Sequence, residues 1–177
     1  MKIVISGGPC SGKSSIINAL KDRGHNILTE SAREVIKESG LNHNMTIDES
    51  IMLQTKILER QVIKELPLEG LKETYFLDSG CIDCYGFYRH LAKKTLKYKP
   101  GYDLERYALI FTLDSLPFIK DDVRREDGDE AVRLNKIIIE EYKKNEYEPL
   151  HVPVMDIEDR IDYILSVMDE KFANWKK

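Results

Sequence analysis

The sequence contains few cysteines and no long apolar segment, and both absences narrow the class of protein. Three cysteines among 177 residues do not make a disulfide framework, so we expect a protein of a reducing, cytoplasmic compartment. No segment approaches the roughly 18 consecutive apolar residues that a membrane-spanning helix needs. The apolar run at the N-terminus ends at Gly7 and is too short for the core of a signal peptide. We therefore expect no membrane association.

An excess of basic residues is also missing. The 27 lysines and arginines are outnumbered by 31 aspartates and glutamates, which gives a net charge of −4 and an isoelectric point of about 5.7. Because proteins that bind duplex nucleic acid are usually basic, nucleic acid is an unlikely partner. The chain lacks repeats and Pro- or Gly-rich linkers, and its length predicts a single domain over residues 1–177, as a monomer or homodimer.

Short apolar runs alternate along the chain with segments in which apolar residues recur every three or four positions. This alternation predicts an α/β fold with a five-stranded parallel sheet between layers of helices. The predicted strands are residues 2–6, 26–29, 74–77, 107–113 and 150–154. Ligands of such folds bind at the carboxyl ends of the strands. The candidate site residues at those ends are Gly7, Glu30, Asp78, Asp114 and Pro153.

Two helix starts carry a capping-box pattern, a Ser or Thr followed three residues later by Glu. Ser31 with Glu34 predicts a helix that starts just after residue 30, and Thr46 with Glu49 predicts the next one. The helical spacing of the following segment predicts a helix that begins near Cys84.

The first predicted strand leads into a segment that fits the phosphate-loop pattern G-x-x-x-x-G-K-[ST]. In such a loop the backbone N–H groups face phosphate oxygens, Lys13 neutralises the β and γ phosphates, and the Ser14 hydroxyl binds Mg²⁺. The sequence therefore predicts ATP and Mg²⁺ as ligands. The residues of the predicted nucleotide site here are Gly7, Gly8, Pro9, Cys10, Ser11, Gly12, Lys13, Ser14 and Ser15.

The rest of the chain lacks the signatures of other proteins with this loop. The guanine-reading Asn-Lys-x-Asp is absent, because Asn135-Lys136 is followed by two isoleucines within a helical pattern. The third strand ends in Leu77-Asp78 followed by Ser79, where motor-type ATPases usually have Asp-Glu, and no Leu-Ser-Gly-Gly signature occurs. The plan of a small-molecule kinase remains.

At the level of these segments the chain resembles P-loop ATPase/kinase domains related to the ribosylnicotinamide kinase domain of bacterial NAD regulators. It is more distantly similar to thymidylate and deoxynucleoside kinases. The resemblance covers the phosphate loop, the Glu-Ser-Ala-Arg-Glu-Val-Ile of residues 30–36, and residues 78–83, where the family has Asp-Arg-Gly-x-x-Asp. It implies a three-layer α/β/α P-loop kinase fold and ATP- and Mg²⁺-dependent phosphoryl transfer to a nucleoside or nucleotide-like metabolite.

One departure from the family leaves the reaction open. Ser79 stands where the family commonly has an arginine that holds the phosphates or the acceptor. A slow ATPase, or a nucleotide-binding switch that acts through a protein partner, is therefore the alternative. A 5′-kinase for RNA or DNA ends is a third possibility, which the acidic isoelectric point weakens.

The resemblance also implies roles for individual residues on the acceptor side, which comprises helices of about residues 31–67. Glu30 would face the acceptor hydroxyl and Arg33 would bind an anionic acceptor, although Arg33 also fits a solvated surface position. Asp78 would hold Mg²⁺ or act as the base, and the choice of base between Glu30 and Asp78 stays open. Asp83 would bind the substrate, or else cap the helix near Cys84.

A charged stretch after the fourth strand lies in the lid position of this plan, about residues 115–130. Its Arg124 and Arg125 would stabilise the transferring phosphoryl group, with Gly128 as a hinge; the alternative is a solvated charge run. Pro153 would contact the adenine ring or form an ordinary turn. The remaining cysteines, Cys81 and Cys84, fit small packing residues better than a redox or metal site.

Overall fold

The structure is a computed structural model that describes residues 1–40, 45–93, 107–116 and 128–173. Strands and helices alternate along these residues. The strands are β1 (Lys2–Ser6), β2 (Asn26–Leu28), β3 (Tyr75–Asp78), β4 (Tyr107–Leu113) and β5 (Leu150–Val152). The helices are α1 (Lys13–Asp22), α2 (Ser31–Ser39), α3 (Ile47–Glu65), α4 (Cys81–Ala92), α5 (Gly128–Lys144) and α6 (Ile157–Ala173), and a 3₁₀ turn (Leu66–Leu68) follows α3.

The five strands form one parallel sheet in the order β2-β3-β1-β4-β5. This confirms the predicted α/β fold with a five-stranded parallel sheet. Strand β1 lies at the centre, and its Ile5 is in register with Asp78 of β3. The carboxyl ends of β1 and β3 are therefore adjacent, so the sheet brings the phosphate loop and Asp78 together.

The core has two parts, one on each face of the sheet. Val4 of β1 belongs to the cluster that α2, α3, α4 and α5 cover. Its neighbours Ile3 and Ile5 point to the opposite face, into the cluster that α1 and α6 cover. Because both faces are covered, β1 is a continuous apolar run with every residue buried. None of the described helices is long and apolar enough to span a bilayer.

Several predicted boundaries were wrong. Strand β2 ends at residue 28 rather than 29, β5 ends at 152 rather than 154, and β3 extends to Asp78. Helix α4 begins at Cys81 rather than near Cys84, because the carboxylate of Asp83 accepts a hydrogen bond from the Gly80 N–H at 2.8 Å and fixes an earlier first turn. The part of the predicted lid at 117–127, with Arg124 and Arg125, lies outside the described residues.

One of the two predicted capping boxes forms. The Thr46 hydroxyl accepts from the Glu49 N–H, and Glu49 accepts from the Thr46 N–H. The box of Ser31 and Glu34 was wrong, although α2 begins where it was predicted. The Ser31 hydroxyl donates to Gln61 of α3 at 2.6 Å, since a buried partner from another helix competes successfully with the local cap.

Candidate active site

The phosphate loop connects the end of β1 to the first turn of α1. Gly7 and Gly12 have φ values of 151° and 86°, which residues with a Cβ rarely adopt. A Cβ at Gly7 would also lie 2.8 Å from the Ser11 Oγ and 3.0 Å from the Leu113 carbonyl. The two glycines therefore allow the chain to curl tightly in front of the N-terminus of α1, where an anion is favoured.

Donors from distant elements hold the outer carbonyl groups of this loop. The Leu116 N–H donates to the Cys10 carbonyl at 2.8 Å, and Arg160 Nη1 of α6 donates to the Ser11 carbonyl at 2.8 Å. In a trans peptide the C=O and the following N–H point in opposite directions. Holding these carbonyls outward therefore turns the N–H groups of Ser11 and Gly12 inward, as a phosphate cradle requires.

Lys13 is folded over the loop. Its Nζ donates to the carbonyls of Gly7 at 2.7 Å and Gly8 at 3.0 Å. Gly8 is held in turn by Asn135 of α5, whose side-chain oxygen accepts from the Gly8 N–H at 3.1 Å. The ammonium group thus lies close to the place where the β and γ phosphates are expected.

Ser14 and Asp78 meet at the junction of α1 and β3. The Ser14 Oγ lies 3.4 Å from Asp78 Oδ2, and the Asp78 side chain is 4 % exposed. Burial raises the pKa of Asp78 to about 6, against the lowering effect of the Lys13 charge, and the charge of Glu30 raises it further. Asp78 Oδ1 has no hydrogen-bond partner among the described residues.

These two groups fit a magnesium ion. Mg²⁺ binds carboxylate and hydroxyl oxygens, and it commonly keeps several waters and takes only one or two protein ligands. A buried carboxylate oxygen without a donor is costly unless a cation or water completes its shell. The pair that the sequence indicated as metal ligands is therefore brought together with an oxygen left available.

A cleft of about 450 Å³ extends from the phosphate loop, whose residues 9–15 line one end, to α2, α3 and α4. Glu30 and Arg33 lie on its wall, and Arg33 Nε donates to Glu30 Oε2 at 3.3 Å. Apolar side chains form much of the remaining surface, including Ala32, Ile36, Met45, Leu53, Ile57, Phe87 and Leu91. Such a surface with a few polar groups is typical of a small-molecule site.

Asp83 also borders the cleft but is engaged inside the protein. Its side chain accepts from the Ser6 hydroxyl at 2.5 Å, from the Gly80 N–H at 2.8 Å, and from the Tyr142 hydroxyl. It is 2 % exposed, and burial raises its pKa. The sequence interpreted Asp83 as a substrate ligand or a helix cap, and that first role stays a prediction. What the structure gives it is a link between β1, α4 and α5.

A second buried carboxylate, Glu65, was not identified from the sequence. Its Oε1 accepts from Gln61 Nε2 at 3.0 Å and from the Tyr107 hydroxyl at 3.0 Å, and lies 3.4 Å from the Cys81 sulfur. Gln61 Nε2 also donates to the Ser79 carbonyl at 3.1 Å. Ser79 has a φ of 68°, so this bond helps to hold a conformation that disfavours side chains.

Sequence reasoning also missed Asn135 and Arg160. Asn135 was considered only as part of a guanine-binding motif, whereas it binds the phosphate loop. Arg160 links that loop to the turn after β5, since its Nε donates to the Pro153 carbonyl at 3.1 Å. The charged neighbours of Arg160 in the sequence, Glu158 and Asp159, resemble a solvated helix start, so the sequence carries no signal of its burial.

The three cysteines are free thiols. Cys81 and Cys84 are buried in α4, and Cys10 is half-buried in the phosphate loop. Burial raises the pKa of the Cys84 thiol well above its usual value, which makes it unreactive at neutral pH. Within the described ranges, no group of three or more His, Cys, Asp or Glu side chains is arranged to hold a metal.

Comparison with known proteins identifies the fold. The AAA domain family matches residues 2–160. A deoxyadenosine kinase from M. mycoides superimposes with a TM-score of 0.65 and 17 % identity, covering 96 % of this chain and 100 % of the kinase. The shikimate kinase from Aquifex aeolicus gives a TM-score of 0.55 and 17 % identity over 97 % and 98 % of the two chains.

The NadR protein, solved in complex with NR, gives a TM-score of 0.64 and 15 % identity. The alignment covers 96 % of this chain but 50 % of NadR, so this chain spans half of that protein. Identities this low show the fold alone, and they confirm the resemblance found in the sequence. No curated protein sequence matches the chain significantly.

Proposed function

The chain belongs to the AAA domain family, and on that premise we propose that it is an ATP- and Mg²⁺-dependent phosphotransferase. Its acceptor is an uncharged hydroxyl group on a molecule of about nucleoside size. The observation that carries the proposal is the position of the phosphate loop and the Ser14–Asp78 pair at the edge of the apolar cleft. A protein that only hydrolysed ATP would have no need of an adjoining cleft for a second molecule.

The residues have distinct tasks in this reaction. The loop N–H groups and Lys13 bind the β and γ phosphates of ATP, while Ser14 and Asp78 would hold Mg²⁺. The ion, when bound, neutralises charge on the phosphate oxygens. Glu30 is on the cleft wall whereas Asp78 is not, so we assign the acceptor hydroxyl to Glu30 and the metal to Asp78. Catalysis then rests mainly on positioning and on stabilised charge.

The cations on the cleft wall favour an uncharged acceptor. Three basic residues line the cleft in the described part of the chain: Lys13, Arg33 and His90. Arg33 is paired with Glu30, and His90 Nε2 lies 2.9 Å from Glu130 Oε1. An acceptor that already carried a phosphate would need free cations at the bottom of the cleft. A nucleoside or another neutral polyol fits this surface better.

The pocket also has the dimensions for one such molecule. Its volume of about 450 Å³ lies in the range of ordinary ligand sites, about 300–1,000 Å³. The aromatic ring of Phe87 on α4 and the amide of Gln54 on α3 both line it. Together they suit a planar, hydrogen-bonding ring attached to the hydroxyl that receives the phosphate.

The test incubates the protein with Mg-ATP and a pooled panel of nucleosides, nucleoside monophosphates and nicotinamide riboside. ADP and new phosphorylated masses are followed together. We expect a new mass from an uncharged member of the panel. Lys13→Ala should reduce its formation by about 10³-fold or more, because the loop loses its charge on the transferred phosphate. Lys21→Ala, an exposed change in the last turn of the same helix, is the matched control.

The other outcomes separate the alternatives. ADP formation without any new mass, unaffected by the panel, would favour the slow ATPase or switch that Ser79 leaves open. Phosphorylation of the monophosphates alone would overturn the uncharged acceptor but keep the kinase. Turnover that survives in Lys13→Ala would overturn the assignment of the phosphate loop.

A further inference from the structure

Arg160 is the buried cation of α6, and none of the roles described so far accounts for its charge. Its side chain is among the largest that are fully buried, and the residue is 2 % exposed. A charged group of this size is almost never buried unless it is paired or coordinates an ion. The partners of its guanidinium therefore show what it is for.

The guanidinium has no carboxylate partner in the described part of the chain. Nε donates to the Pro153 carbonyl, Nη1 donates to the Ser11 carbonyl, and Nη2 is buried without a hydrogen-bond partner. The negative charge of Asp114 acts to raise the pKa of Arg160. Asp114 Oδ2 is already bonded to His151 Nε2 at 2.8 Å. Burial outweighs Asp114 and lowers the pKa of Arg160.

The Arg160 guanidinium lies against the phosphate loop. A Cβ built on Gly12 would lie 3.4 Å from Arg160 Nη1, so the guanidinium packs directly against the residue before Lys13. The bond from Nη1 to the Ser11 carbonyl also sets the peptide whose N–H belongs to Gly12. The positive charge therefore lies directly behind the peptide whose N–H faces the place where the anion is expected to bind.

We propose that Arg160 is a positioning residue of the phosphate site. It holds the Ser11 peptide so that the Gly12 N–H faces the phosphates, and the anionic nucleotide supplies a counter-charge that no carboxylate bonded to it supplies within the described residues. Lys13 and Arg160 then differ in kind. Lys13 is held by two loop carbonyls and is free to move onto the phosphates, whereas Arg160 is fixed behind the loop. The same side chain ties the loop to the turn at Pro153.

This proposal depends on the proposed function only in that the loop binds the phosphates of a nucleotide. The experiment is accordingly a binding measurement without any acceptor. Mg-ADP and Mg-ATP are titrated into the wild type, Arg160→Met and Arg160→Lys by calorimetry, and the thermal midpoint of each ligand-free protein is recorded. Arg23→Met is the matched control, because Arg23 binds Asp162 at 2.7 Å and also Glu158 on α6, without touching the loop.

We expect Arg160→Met to weaken both nucleotides by about 10- to 100-fold, the effect of losing a charge-assisted hydrogen bond and its charge. The ligand-free thermal midpoint should decrease only modestly, because losing the donors to the Ser11 and Pro153 carbonyls is partly offset by removing a buried charge. Arg160→Lys keeps the positive charge but loses the planar guanidinium with its several donors. Its nucleotide affinities should therefore lie between those of the wild type and Arg160→Met. Arg23→Met should bind like the wild type.

A purely structural role predicts a loss of stability without any loss of nucleotide affinity. Arg160→Met would then have a lower thermal midpoint, and its folded fraction would bind ADP as the wild type does; that result overturns the proposal. If Arg160→Met does not fold, Arg160→Lys decides, because unchanged ADP affinity in it would overturn the positioning role. If the wild type itself binds no ADP, both this inference and the phosphate loop are overturned. A protein that binds ADP but phosphorylates nothing in the panel leaves the Arg160 result standing.

Discussion

Buried charge is treated differently in two neighbouring regions of this molecule. Behind the cleft, Asp83 accepts hydrogen bonds from Ser6, Gly80 and Tyr142, and Glu65 Oε1 accepts from Gln61 and Tyr107. We call this region the inner network. At the edge of the phosphate loop, Asp78 and Arg160 each keep a buried atom without a hydrogen-bond partner among the described residues. We call this pair the ligand edge.

The difference separates structural from functional charge. A buried polar group without a partner costs about 1–3 kcal/mol, and more when it is charged. Both oxygens of Asp83 in the inner network have donors, so Asp83 avoids that cost, and these donors link β1, α4 and α5. At the ligand edge, the buried atoms of Asp78 and Arg160 that lack a partner among the described residues destabilise the ligand-free protein. A magnesium ion would complete the shell of the Asp78 carboxylate, and the charge of a bound nucleotide would balance that of Arg160.

Sequence proximity does not explain the contrast. Asp78 and Asp83 are five residues apart, and burial raises the pKa of both. They differ in the donors around them, since Asp78 has one long contact from Ser14 and Asp83 has three shorter contacts. Replacing each aspartate by asparagine therefore tests most directly whether Asp78 has a functional role and Asp83 a structural one.

The largest effect is expected for Asp78→Asn at the ligand edge. The amide cannot supply the charge that a magnesium ion needs, so turnover of the acceptor found above should fall by about 10³-fold, or about 4 kcal/mol of activation free energy. The ligand-free protein should unfold at the same temperature or higher. The measurement is the rate under saturating Mg-ATP, beside a melting curve. A lower melting temperature with an unchanged rate would place Asp78 in the inner network instead.

Asp83→Asn is expected to act in the opposite sense. The amide has one acceptor oxygen where the carboxylate has two, so either the bond from Ser6 or the bonds from Gly80 and Tyr142 lose their acceptor. The free energy of unfolding should therefore fall by about 2–4 kcal/mol. The folded fraction should bind ADP as the wild type does. Denaturant titration measures the first quantity and calorimetry the second.

Tyr142→Phe removes one donor to Asp83 and is the milder variant if Asp83→Asn does not fold. A decrease of about 1–2 kcal/mol is expected for it. Should Asp83→Asn keep its stability and raise the KM of the acceptor, the role that the sequence suggested for Asp83 as a substrate ligand would be supported.

The fold was predictable from the sequence because its signals are local. Strands β1 and β4 are continuous apolar runs, and the phosphate loop carries its glycines, lysine and serine in one segment. Ser14 and Asp78 were both predicted to hold Mg²⁺, and the sheet brings them together because β1 and β3 adjoin. Strand ends were less well predicted, since Asp78 belongs to β3 although the sequence placed it just after that strand.

The state of each buried charge was not predictable, because it depends on contacts between distant segments. Arg160 meets Ser11 across 149 positions, and Asp83 meets Ser6 across 77. Ser31 carried a convincing local signal with Glu34, but it bonds to Gln61 instead. A pattern within one helix cannot show which side chain another helix will bring to it.

The smallest effect concerns the pH dependence of the ligand-free protein, and it sharpens the comparison without any substrate. The pKa of Asp78 is raised from 3.8 to about 6, chiefly by burial. The native state therefore binds more protons than the unfolded state between these two values, so this group makes stability fall as pH rises from about 4 to 6. Asp83 contributes with the same sign, whereas Glu38 and Glu49, whose pKa values are lowered, act oppositely.

A difference between two proteins isolates Asp78 from these other groups. The free energy of unfolding of Asp78→Asn, minus that of the wild type, should increase between pH 4 and pH 7 and then level off. The plateau should lie about 1–3 kcal/mol above the value at pH 4, as expected for a shift of this size. Urea titrations at several pH values in EDTA measure it. A difference that stays constant with pH would mean that burial does not destabilise the Asp78 carboxylate in the free protein. The ligand edge would then lack the destabilised carboxylate that distinguishes it from the inner network.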